Sequence, residues 1–125
     1  GLELQLIDDD TVADARVHPS HATGAMYLFQ AAKNVPPLPV NTWHRARIVV
    51  DGRRVEHWLN GRKVMEADLE SAGLRAAMEA QKRPDIPKPA HLDELKRHPE
   101  RRYPLVLTHH GGDAWYRNLR VRELR

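Results

Sequence analysis

Apolar positions in this 125-residue chain recur with a period of two in several short stretches, the pattern of half-buried β-strands. Leu2, Leu4 and Leu6 alternate with Glu3 and Gln5, which predicts a strand over residues 2–7 ended by Asp8, Asp9 and Asp10. Gly24 to Gln30 reads as a second strand. Trp43–Val50, Arg54–Leu59 and Arg62–Leu69 follow, separated by Asp51-Gly52 and Asn60-Gly61. Those dipeptides reach the positive φ angles that tight hairpin turns require, so the three runs predict an antiparallel meander. Tyr103–His109 and Trp115–Leu124, around Gly111-Gly112, read as the last two strands.

Between residues 71 and 98 the period changes. Leu74, Ala77 and Met78 fall on one helical face, with Ser71 as the N-cap of a helix over 71–82. Pro84, Pro87 and Pro89 interrupt regular structure, and a short polar helix over 91–98 is stopped by Pro99. Residues 11–23, which hold His18 and His21, and residues 31–42, with Pro36, Pro37 and Pro39, read as loops. Strands without a βαβ rhythm predict an all-β antiparallel sandwich, a single domain over 1–125 in which 71–98 is a helical, proline-rich insertion outside the sheets. Alternation nominates Leu2, Leu4, Leu6, Ile48, Val50, Trp58, Leu105, Leu107, Leu119 and Val121 as core. Because the chain opens already inside a strand, we expect it to be part of a longer sandwich whose first strands precede Gly1.

Composition narrows the function classes. Lys plus Arg is 20 against 17 for Asp plus Glu, a net charge of +3 spread along the sequence, which does not predict a nucleic-acid partner. No apolar run approaches the length of about 18 residues that a membrane span needs. Cysteine is absent, which excludes disulfides and thiolate metal sites. Histidine is abundant, with eight residues.

Three constellations carry chemistry. Glu3 and Gln5, on the polar side of their strand beside Asp8 and Asp9, offer acceptors and donors that sugar hydroxyls need; the competing reading is a solvated outer face. His57 alternates with Trp58, and the Trp is the better core filler, so His57 is expected on the accessible face as a base, a ligand or a hydrogen-bonded structural residue. His109-His110-Gly111-Gly112 ends a strand at a turn; the spacing matches no zinc signature. A nucleophile elbow, a phosphate-binding glycine loop and a cysteine nucleophile are all absent from the sequence.

Taken in order, GLELQLIDDD, GAMYLFQAAKNVPP, NTWHRARIVVDGRRVEHWLNGRKV and LVLTHHGGDAWYRNLRVREL resemble the 3-keto-disaccharide hydrolase family, also called the 3-keto-glucoside lyase/hydratase domain. The combination of Val55–Gly61 (VEHWLNG) with Trp115–Leu124 (WYRNLRVREL) is the more specific part. The resemblance covers the C-terminal part of the family domain and implies a concanavalin-like jelly-roll fold, incomplete on its N-terminal side. A second chain or a preceding segment would complete the sandwich. It implies a carbohydrate partner, a periplasmic or secreted setting, and action on sugars oxidised at C3. His57 and His110 are then the candidate bases, and Glu3, Gln5 and Asp9 the candidate substrate-binding residues. The resemblance leaves the cofactor open, a divalent cation included. Where the family pattern reads Leu-Gln-Asp-His-Gly-Asp, this chain has Leu107-Thr108-His109-His110-Gly111-Gly112, so Thr108 stands for an amide and His109 for a carboxylate.

Two other classes compete with an enzyme: a carbohydrate-binding module and a structural fragment of a larger protein. A binding module needs exposed aromatic platforms, and the three Trp occupy strand positions expected of core residues. Glu3, Gln5, His57 and His110 are expected to converge on one concave, water-accessible face.

Overall fold

The computed structural model describes residues 1–109 and 111–124. Its centre is a three-stranded antiparallel sheet in the order β1 (Ala46–Asp51), β2 (Arg54–Leu59), β3 (Arg62–Asp68). Both connections are two-residue turns. Gly52, at φ 56°, is the first central residue of the β1–β2 turn, the position where a glycine is preferred; Asn60 and Gly61, at 47° and 82°, are both left-handed, as a type I′ turn requires.

Register decides what each face carries. Ile48, His57 and Met65 lie opposite one another, as do Val50, Val55 and Ala67. This face is buried on β2 and β3: Val55, His57, Leu59, Met65 and Ala67 are all under 5% exposed. The other face presents Arg47, Trp58 and Lys63 in one row. A bulge sits between these rows: His57 pairs with Met65 but Trp58 with Lys63, so Val64 is the extra residue. The bulge turns Val64 inward beside Met65, and its carbonyl accepts from the Lys33 N–H at 2.7 Å.

Two helices, α1 (Ala72–Ala80) and α2 (Pro89–Arg97), lie within the segment expected as an excursion. They are not set apart from the sheet. Leu74 and Met78 of α1 and Leu92 of α2 belong to one apolar cluster with Met26, Val55, Met65 and Ala67, and Leu2, Phe29 and Leu69 pack against it. Ser71 Oγ caps α1 by accepting the Leu74 N–H at 3.3 Å. Lys88 Nζ closes its other end, donating to the carbonyls of Glu79 at 3.2 Å and Gln81, where a cation is favoured by the helix dipole. Arg75 donates to both carboxylate oxygens of Asp93, at 3.0 and 2.8 Å, and so joins the two helices.

The terminal segments depart from the expected strands. Residues 2–7 and 24–30 form no continuous ladder: Leu4 bridges Met26, the Gln5 N–H donates to the Ala25 carbonyl at 3.0 Å, the N–H groups of Gly24 and Tyr27 donate to the carbonyls of Gln5 and Glu3, and Met26 bridges Gln30 within the second segment. Without a continuous ladder the pleat is lost, so Gln5 is 7% exposed while Leu6 is 45% exposed, the reverse of the expected facing. Residues 101–109 and 111–124 form no strand. Tyr116 Oη reaches the Thr108 carbonyl at 3.5 Å and Arg102 pairs with Glu123 at 3.4 Å, an antiparallel alignment without ladder bonds. Leu105, Leu107, Leu119 and Val121, expected in the core, are exposed, as are Ile48 and Val50 on β1. Alternation specifies a face, but burial also needs an element to cover it, and among the described residues nothing covers these positions.

If the helices are part of the core, Met78→Ala, which empties a fully buried site, lowers unfolding free energy by about 2–5 kcal/mol. Urea denaturation measures this; a loss under about 1 kcal/mol would place α1 outside the cooperative unit.

Candidate functional site

The 3-10 turns Ala13–Arg16 and Pro19–His21 fold residues 11–23 back onto the segment 24–30. In the second turn the His18 side chain accepts the Ser20 N–H. This local geometry brings together three side chains that sequence periodicity does not connect. His21 Nδ1 lies 2.9 Å from Asp14 Oδ1, and Tyr27 Oη donates to Asp14 Oδ2 at 3.0 Å. The His21 and Tyr27 rings meet edge-on with centroids 5.1 Å apart. A carboxylate can only accept, so Nδ1 of His21 carries a proton; in the neutral imidazole the lone pair is then on Nε2. The His21 side chain is 16% exposed, so it is sheltered but not sealed. Burial, together with the Asp14 hydrogen bond, pushes the Tyr27 hydroxyl above its ordinary value and keeps it protonated near neutral pH. Arg83 and Glu3 act on Tyr27 electrostatically with opposite signs.

The residues expected from sequence are placed as follows. Glu3 is half-buried, and its carbonyl accepts the Tyr27 N–H at 3.0 Å, which sets it beside the cluster. Gln5 and His57 meet on one residue: the Gly24 N–H donates to the Gln5 carbonyl at 2.8 Å, and the Gly24 carbonyl accepts from His57 Nδ1 at 3.0 Å. Both are buried, with His57 at 2% exposure, so they do not share a water-accessible face with Glu3. The expected facing of β2 is inverted: His57 points into the core and Trp58 to the opposite, half-open face. The reason is that Gly24 supplies His57 with a carbonyl partner inside, whereas the Trp58 indole N–H finds Glu56 Oε2 at 2.9 Å outside. Asp9 Oδ1 accepts the Thr23 N–H at 2.8 Å and so holds the turn leading to Gly24. His110 lies outside the described residues. Among the described residues no group of three or more His, Asp or Glu side chains is arranged to hold a metal ion.

Asp14, His21 and Tyr27 were missed by sequence reasoning because a loop has no period. The available signal was an Asp and a His seven residues apart, flanked by Pro19 and followed by a Tyr, in a segment too polar to be core.

Residues 1–122 match the 3-keto-alpha-glucoside-1,2-lyase-like domain. The chain belongs to this family. A curated relative, the 3-keto-disaccharide hydrolase of Bacteroides thetaiotaomicron, is 26% identical over 126 residues, covering 98% of this chain and 43% of that protein. A crystal structure from Parabacteroides distasonis ATCC 8503, titled as a "putative glycosyl hydrolase", is similar with a TM-score of 0.60 and 25% identity, over 72% of this chain and 44% of that one. The chain thus spans less than half the length of either relative. This carbohydrate-active family is the one that the VEHWLNG and WYRNLRVREL segments resemble. No helix of the described residues is long and apolar enough to cross a membrane.

Burial drives the His57 pKa below its ordinary 6.5, the Gly24 carbonyl opposing this. A folded value below the unfolded one means that the unfolded chain binds more protons as pH falls past 6.5. Stability contributed by His57 is therefore full at pH 8, declines as pH drops through 6.5, and levels off below the folded value. We expect an NMR titration of the His57 ring with a midpoint under 6.5, and a smaller loss of stability between pH 8 and 5 in His57→Asn, whose amide can still donate to Gly24. A midpoint at or above that of a free imidazole would contradict the burial.

Proposed function

We propose that this domain cleaves or hydrates 3-keto glycosides by removing the proton at C2, with Asp14 and His21 as its acid–base pair. The observation that carries the reading is the 2.9 Å contact between His21 Nδ1 and Asp14 Oδ1, in a chain of this family. A C3 ketone acidifies the C2 hydrogen. His21 Nε2 takes that proton, and Asp14 fixes the tautomer and stabilises the imidazolium that forms. The electron pair moves into an enolate at C2–C3, and the C1–O bond then breaks as the enolate collapses. The leaving oxygen collects a proton, and water adds to C1 of the enone to complete hydration.

The substrate-binding roles proposed from sequence divide under this reading. Glu3, beside Tyr27, orients sugar hydroxyls. Gln5, Asp9 and His57 support the site through the Thr23–Ala25 turn and touch no substrate. His110, outside the described residues, keeps the role of candidate base that the family resemblance implies. The β1–β3 sheet is one layer of a concanavalin-like jelly roll, and a preceding segment or a second chain supplies the other; the exposed apolar positions of residues 103–124 support this.

A non-catalytic sugar-binding module is the second reading. It draws on Trp43 and Trp115, which are 51% and 69% exposed and not in the core as expected.

His21→Ala and Asp14→Asn, introduced into the protein in its native context, should each lower turnover of a 3-keto disaccharide by roughly 10²-fold or more while leaving the circular dichroism spectrum unchanged. His57→Asn should lower it far less. Equal turnover in all three variants, with sugar binding intact, would favour the binding-module reading instead.

A further inference from the structure

The sheet face opposite His57 carries an arrangement that the acid–base cluster does not use. Trp58 sits in the middle row of β2, directly opposite Arg47 on β1 and Lys63 on β3. The Arg47 guanidinium and the Lys63 ammonium each sit 6.0 Å from the indole centroid, within cation–π range. The indole edge is pinned by its N–H bond to Glu56 Oε2 at 2.9 Å. Arg45, Arg47, Trp58 and Gly61 line a shallow cavity of about 260 Å³ at the end of this row. Gly61, at φ 82°, adds no side chain at the mouth, and a Cβ there would meet nothing within 4 Å, so the cavity stays open.

The charges around the indole are unequal. Lys63 is committed to Glu56 at 3.4 Å and to Glu66, and Arg54 to Asp51 at 3.1 Å and Glu56 at 3.8 Å. Trp58 and Lys63 accordingly hold the Glu56 carboxyl below the ordinary carboxylate range. Arg45 and Arg47 have no such partner: among the described residues neither guanidinium reaches a carboxylate. Arg45 is nonetheless fixed in place through its backbone, whose N–H donates to Asn60 Oδ1 at 2.9 Å and whose carbonyl accepts the Asn60 N–H at 2.8 Å. Two uncompensated guanidinium groups beside an apolar aromatic floor suit a ligand with one apolar face and one planar anion.

We infer that Arg45, Arg47 and Trp58 form a subsite for a carboxylate-bearing pyranose, a uronic acid unit, on the sheet face away from the acid–base cluster. The C–H face of the ring stacks on Trp58, and the carboxylate takes paired N–H bonds from the two arginines. The choice of a sugar rests on the carbohydrate-active family reading; the requirement for a carboxylate rests on the arginines alone. Such a subsite would bias the domain toward acidic glycans without entering the chemistry.

The test is a titration of the protein with methyl β-D-glucuronide and, separately, with neutral methyl β-D-glucoside, followed by the indole N–H resonances in a ¹H–¹⁵N spectrum. Trp58→Phe assigns its resonance among the three Trp. The Trp58 resonance should shift saturably with the glucuronide, with at least roughly tenfold weaker binding of the glucoside, and with weakening as salt is raised. Arg47→Ala and Arg45→Ala, both at exposed positions, should each weaken glucuronide binding by roughly tenfold, and Arg47→Lys should restore part of it. Equal binding of both sugars would overturn the carboxylate assignment, and a Trp58 resonance that neither sugar moves would overturn the subsite. Neither result touches turnover of a 3-keto disaccharide, so failure here and failure of the acid–base reading are separately visible.

Discussion

The fold turns on a single residue, Gly24. Its N–H donates to Gln5, its carbonyl accepts from His57, and its φ of 89° sends the chain sharply onward to Ala25 and Met26. A Cβ at this position would lie 3.1 Å from Ala32 Cβ and Val64 Cγ2 and 3.2 Å from Leu59 Cδ1, so the close approach depends on the absence of a side chain. Through this residue the N-terminal segment is fastened to the buried sheet face. Met26, fully buried, follows two residues later, and Tyr27, which carries the Asp14 hydrogen bond, three residues later. The position of the candidate site is therefore inherited from a backbone constraint and not from the strands themselves.

The two faces of the sheet divide the electrostatic work. On the inner face the titratable group is His57, which burial keeps neutral. On the outer face Arg54, Glu56, Lys63 and Glu66 form a chain of ion pairs around Trp58. Their cationic ends are open to solvent while Glu56 is 8% exposed, and pairs screened on one side contribute modestly to stability. Their effect is positional, because they hold the indole edge and absorb the nearby charges, leaving Arg45 and Arg47 uncompensated.

What was legible in the sequence was local. Asp51-Gly52 and Asn60-Gly61 gave away both hairpins, since two-residue turns encode their own geometry, and Ser71 marked the start of α1 for the same reason. Facing was harder. Trp58 and His57 alternate whichever way β2 is turned, and the outcome was decided by a carbonyl more than thirty residues away, at Gly24, and by the bulge at Val64. The final strands were legible as alternation over Tyr103–His109 and Trp115–Leu124, yet a strand is a pairing, and the described residues offer none. Family membership was legible because it rests on ordered segments and not on packing. The Asp14–His21–Tyr27 cluster was not, because its members are joined by 3-10 turns in a loop where neither the helical nor the strand period operates.

The open C-terminal segment has a thermodynamic consequence. Both the heat-capacity increment of unfolding and the denaturant m-value scale with surface newly exposed, not with chain length. Residues 101–109 and 111–124 lie exposed in the folded chain, with Leu107, Tyr116 and Leu124 at 46%, 44% and 47% exposure, so they add less than their share of the chain length to either quantity. Calorimetry and urea titration of these 125 residues would thus read as those of a shorter domain. Any partner that buries Leu105, Leu107, Leu119 and Val121 would reveal itself as an increase in heat-capacity change and m-value, independently of any gain in melting temperature.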